Sequence, residues 1–138
     1  MDRAILASRY WRVQLNHVEK RYGSKAEAKA VIEQSKELRK KIGAIEEELI
    51  QVNSKASEDE LNYPTKMNSW LGYLQAAVDS ADAQPTEGEL GVFAELNQKL
   101  DAQLAKWHAV LSTDVPAIND TMRKNGIVFI YAAAEAAK

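Results

Sequence analysis

Thr86–Met122 reads TEGELGVFAELNQKLDAQLAKWHAVLSTDVPAINDTM, and its spacing decides the fold. Phe93, Leu96, Leu100, Leu104, Trp107, Leu111, Val115, Ile118 and Met122 recur at steps of three and four. On a helix of about 3.6 residues per turn that spacing makes one apolar stripe. Thr86 with Glu89 three residues on forms a capping box at its start. Pro116 interrupts it. Proline cannot donate to the preceding turn, so either the helix kinks there or a new short helix begins, capped by Thr113 or Asp114. Asn125 and Gly126 close the stretch, and a stripe this long needs surface packed against it.

Three upstream segments supply that surface. Residues 24–53 show the most regular pattern: Ala28, Val31, Ser35, Leu38, Ile42, Ile45, Leu49 and Val52 follow the heptad spacing of a long hairpin or coiled coil. Ser24 with Glu27 marks a capping box, and Gly23 before it caps a preceding helix over residues 2–22. That first helix has two stripes, Leu6/Tyr10/Val13/His17 and Trp11/Leu15/Val18/Tyr22, so it has a broad apolar face or touches two neighbours. SKASEDELNY at 54–63 reads as a polar link. Pro64 at a first helical position predicts a third helix over residues 64–83, with Met67, Trp70, Leu71, Leu74, Val78 and Ala81 on its buried face. The expected fold is all-α, an up-and-down antiparallel bundle of three to four long helices, about 2–22, 24–53, 64–83 and 86–124. Residues 1–126 then form the bundle and 127–138 a short irregular tail. In that tail IVFIY either packs back as an extended segment or pairs with something outside the chain.

Size and composition agree. One domain of 138 residues can bury roughly two thirds of its unfolded surface. It has no cysteine, which excludes disulfides, thiolate catalysis and cysteine-based zinc sites. No apolar run approaches the length of a bilayer span, and MDRAILASRYWRVQ is too polar for a signal peptide, so a soluble chain is expected. The net charge of -2 is unevenly placed. Residues 1–53 carry 11 Lys/Arg against 8 Asp/Glu and the remainder 7 against 12, so opposite signs favour docking of the two halves. Acidic IEEEL follows basic ELRKK within a turn or two, which is a solvated helix face and not a phosphate track, so no nucleic acid is expected.

No residue constellation carries chemistry. His17 and His108 are the two histidines; a di-iron bundle would need Glu three residues before each, where Gln14 and Ala105 stand. Neither a metal nor a cofactor is expected. Glu95, Asp101, Asp114 and Asp120 fall mainly off the apolar stripe and read as solvated surface. No nucleophile-elbow, phosphate-loop or dinucleotide glycine pattern occurs. Trp70 and Trp107 lie on stripes and read as core. Tyr10 with Trp11, and Phe129 with Tyr131 in the tail, are the candidate interaction surface.

The pieces IEEELIQ, LNYP, SADAQPT, LDAQLAKW and TDVPAIN, within Ala44–Lys124, resemble the C-terminal helical region of bacterial sortilin/VPS10-type BNR-repeat β-propeller proteins, often described as glycosyl hydrolase-like. The resemblance implies a non-catalytic accessory or assembly domain whose partners are the propeller domains of a parent chain or a second copy, with carbohydrate reached only through the parent. It implies a periplasmic or extracellular home, the export signal lying upstream with the propellers. It carries no catalytic residue onto any position. The alternative is a free-standing helical adaptor that binds another protein through an amphipathic face.

Overall fold

A computed structural model describes residues 1–127 of the chain. They form an all-α bundle of five helices: α1 (Asp2–Tyr22), α2 (Lys29–Leu49), α3 (Met67–Asp79), α4 (Glu87–Ala109) and α5 (Val115–Lys124). The segment Val110–Asp114 between the last two is a π-helical turn, so α4 runs into α5 without a break. The Val115 N–H reaches back to the Val110 carbonyl. The second alternative for Pro116 holds in outline: α5 is a short helix with Asp114 at its cap position and Pro116 in its first turn, although the Asp114 side chain makes no capping bond and the π-turn joins the helix to α4. Proline offers no N–H to Ser112 and its ring crowds that carbonyl; widening the turn by one residue relieves both while the helix continues.

The element around which the chain is organised is α2 rather than the Thr86–Met122 stretch. It packs against α1, α3, α4, the π-turn and α5. Of the predicted heptad positions, Ala28, Val31, Ser35, Leu38, Ile42, Ile45 and Leu49 are buried and Val52 is not. Helix α1 lies along one side of it, and the π-turn and α5 along another. Trp11 is fully buried and stacks at a tilt on Trp107, ring centroids 5.3 Å apart. Such a pair contributes about 0.5–1.5 kcal/mol beyond the area it hides. Arg9 Nε and Arg12 Nη1 donate to the two oxygens of Glu46, at 2.9 and 2.6 Å, and that carboxylate is buried. Two cations on α1 thus neutralise the one acid that α2 places beneath them. Arg39 ties the other end, bonding Asn16 and reaching Glu19 at 3.0 Å.

Several expected boundaries move. The Ser24 capping box does not form: residues Ala26–Ala28 make a 3-10 turn and α2 starts at Lys29 with no side-chain cap. Gly23 does end α1, but in right-handed conformation; its glycine is required because a Cβ there would sit 2.5 Å from the Glu19 carbonyl oxygen. Helix α2 stops at Leu49, short of Asn53, leaving Val52 half-exposed. Pro64 lies before α3 instead of at its first position, its carbonyl accepting from Gln51 Nε2 at 2.8 Å. The Thr86–Glu89 capping box forms as expected. Ile127 is buried against the core, its N–H on the Met122 carbonyl at 2.9 Å.

Candidate interaction surface

Two apolar faces stay in water. The first is the α3–α4 hairpin. Of α3 only Met67 is buried, and of α4 only Leu96 and Trp107. Trp70, Tyr73, Leu90, Val92 and Phe93 are 40–55% exposed. The cause is placement. The C-terminal half of α4 brings Leu100, Leu104 and Trp107 to the core, whereas the hollows beside its outer half are walled by the α3–α4 hairpin alone, and two helices cannot cover each other on all sides. The stripe read across Phe93 is genuine, yet among the described residues nothing covers that end.

The hairpin has a hollow on each side. One, of about 390 Å³, lies between Leu71, Leu74, Val78, Pro85, Leu90 and Phe93, with Asp79 and Glu89 at its rim. The other, of about 410 Å³, is walled by Trp70, Tyr73, Leu74, Val92 and Leu96, with Glu95 and Lys99 at its edge. Trp70 is fixed at this edge: its indole N–H donates to Thr65 Oγ1 at 2.9 Å, and Lys99 Nζ lies 5.9 Å from the ring centroid. Concave apolar ground flanked by aromatic side chains is the usual character of a protein-binding surface.

The hairpin is also acidic. Met67–Gln98 contains Asp79, Asp82, Glu87, Glu89 and Glu95 and no lysine or arginine. The Thr86 backbone N–H and hydroxyl donate to the Glu89 carboxylate at 2.7 and 2.8 Å and hold its pKa below the ordinary glutamate range. The Lys99 ammonium, 2.6 Å from Glu95, does the same there. Both carboxylates are therefore charged at neutral pH.

The second face is the outer side of α1. Leu6, Tyr10 and Val13 are 66, 50 and 52% exposed, and His17 is exposed beyond them. The same run of three-and-four steps begins at Arg3 and ends at Lys20, both exposed, so a short apolar strip has a cation at each end. Of the two stripes read on this helix, only Trp11/Leu15/Val18 enters the core. Apart from Val52, every large apolar side chain exposed among the described residues belongs to this strip or to Leu61–Phe93.

Of the four candidate surface residues, Tyr10 lies on the α1 strip, while Trp11, one position and about 100° on, is fully buried and belongs to no surface. Phe129 and Tyr131 lie outside the described residues. Trp70, read as core, sits instead at the hairpin surface. The residues missed were Trp70, Tyr73, Leu90, Val92 and Phe93. Their signal was in the sequence: α3 and the start of α4 carry aromatic and aliphatic residues on both sides of the expected stripe, over thirty-odd residues without a cation.

Among the described residues the titratable groups singled out in the sequence stay apart. His17 and His108 are exposed on separate helices. Asp114 pairs with Lys41 at 2.7 Å, Asp101 accepts from Asn97 and Asp120 from Arg123. Among the described residues no group of three or more His, Asp or Glu comes together as metal ligands, and no helix is long and apolar enough to cross a membrane. The likeness to propeller-associated helical regions rests on the quoted sequence pieces alone, since no family model, no curated protein and no solved structure matches the chain.

Proposed function

We propose that this chain is a non-catalytic helical assembly domain that holds another protein chain on its α3–α4 hairpin. The observation that carries the reading is the concentration of Trp70, Tyr73, Leu90, Val92 and Phe93 on both sides of one hairpin, each at least 40% exposed. Scattered apolar residues are ordinary on a surface; five large ones around the two hollows of one hairpin are a patch of the kind that a partner covers. In the form suggested by the sequence resemblance, the domain is an accessory piece of an exported β-propeller protein. In the adaptor form it stands alone. Both use the same hairpin.

A photo-crosslinking amino acid placed at Tyr73 or at Phe93, with Glu37 on the polar side of α2 as control, tests this in cells that make the protein. Adducts to one defined protein from positions 73 and 93, and none from 37, are expected. Absence of adducts from the hairpin, or equal labelling from all three positions, would overturn the assembly reading.

A further inference from the structure

Within one chain the two exposed apolar faces do not meet, yet they match. The α1 strip is basic at its ends: Arg3 and Lys20 lie in its own run, with Arg21 and Asp2 beside them, while Arg9 and Arg12 are drawn to Glu46 on α2. Glu46 offsets only one of the Arg9 and Arg12 charges. The hairpin carries five carboxylates and no cation between Met67 and Gln98. One face is a helix ridge of Leu6, Tyr10 and Val13. The other has a hollow on each side of two helices, lined by Leu, Val, Phe, Trp and Tyr side chains. A third helix laid into a two-helix hollow is how bundles close.

We infer that the hairpin of one copy docks on the α1 strip of a second copy, and the reverse, so that a two-fold dimer closes through two identical contacts. The inference rests on the assembly reading above and names the partner. Charge complementarity chooses the pairing: hairpin against hairpin would set ten carboxylates face to face, and α1 against α1 would oppose cation to cation, whereas hairpin against α1 neutralises both. Reciprocal exchange also covers both faces of both copies and leaves no open end, which a one-way contact would extend into a filament.

The test is sedimentation equilibrium of the full chain and its charge variants at low and physiological salt, with far-UV circular dichroism as the folding check. The wild type is expected to be a dimer whose Kd rises with salt, as screening weakens the attraction. The double change Arg3→Glu and Lys20→Glu is expected to raise Kd at least about tenfold, and Asp79→Lys with Asp82→Lys likewise. These positions are exposed, and lysine at the C-terminal end of α3 suits the helix dipole, so folding is preserved. Mixing the two variants, or combining all four changes in one chain, should restore dimerisation.

A wild type that stays monomeric at about 0.5 mM overturns the inference, as does a dimer weakened by the hairpin changes but not by the α1 changes, which would be hairpin against hairpin. Failure of the combined variant to recover overturns it too. Adducts from Tyr73 or Phe93 to a different protein, a propeller included, would keep the assembly reading and remove the second copy as its partner.

Discussion

Trp11 and Trp70 sit on helices of similar grammar and have opposite fates. Trp11 is fully buried against Trp107; Trp70 keeps 40% of its surface in water. Helix α1 lies chiefly on α2 and has a well-covered inner face, because α2 presents an unbroken heptad seam from Ala28 to Leu49 and α4 adds Trp107 at its flank. Helix α3 sends Met67 into the core and rests Leu71 against it, while its remaining apolar residues face α4 or water. The contrast teaches that an apolar stripe states what a helix wants to bury and not whether the same chain supplies the cover.

The sharpest way to break the comparison is truncation at its two poles. Trp11→Ala should cost about 4 kcal/mol and lower Tm by roughly 15 °C, because it removes a large ring from a closed core. Trp70→Ala should cost about 1 kcal/mol or less, the loss of a half-wet ring and one hydrogen bond. Equal costs, measured by thermal and urea unfolding, would mean that the hairpin is as closed as the core.

Next comes Glu46→Gln, expected to cost about 2 kcal/mol. That is below the ~3–5 kcal/mol of a fully buried pair, because Arg9 and Arg12 keep much of their surface in water. Thr86→Ala should cost about 1 kcal/mol, since it removes the cap of α4. The same cap responds to acid. Glu89 has a lowered pKa in the folded chain, so its contribution is complete above the ordinary glutamate pKa and is lost as pH falls through the lower folded value. The protection of the Glu89 and Leu90 amides, with exchange referred to the intrinsic rate at each pH, should fall in that acid window and not above it, and in Thr86→Ala the fall should shrink without disappearing, because the backbone N–H of residue 86 still donates to Glu89. The smallest effect on stability belongs to Phe93→Ser, within about 0.5 kcal/mol by urea titration, because its side chain is already half in water. A larger loss would show that Phe93 is holding the fold rather than awaiting a partner.

Much of the fold was legible because α2 states its buried face at every turn from Ala28 to Leu49, and Thr86 with Glu89 announces a helix start by side-chain chemistry alone. The helix ends were less legible. Ser24 and Glu27 fit a capping box, but a 3-10 turn over Ala26–Ala28 claims that backbone first, and Pro64 fits a helix start yet serves as an acceptor for Gln51. The interaction surface was the least legible part. Spacing groups Phe93 with Leu96 and Leu100, and only the tertiary arrangement shows that Leu96 is buried, that Leu100 packs on the core and that Phe93 is left bare. Tyr10 and Trp11, adjacent in sequence, were separated by one helical step into surface and core.

The widened turn at Val110–Asp114 divides the spine of the molecule for hydrogen exchange and for force. A π-turn spreads its carbonyls and leaves a step of five between the buried Val110 and Val115, so α4 and α5 are one rod in shape but two ladders in their hydrogen bonding. α5 is held by Val115, Ile118 and Met122 in the core, whereas the outer half of α4 is not. Opening of the hairpin can therefore run down the outer half of α4 and stop where Leu100, Leu104 and Trp107 enter the core, leaving amides beyond Val115 protected. Pulled from its tip, the hairpin would unzip to that point as one unit while the core beneath it stayed folded.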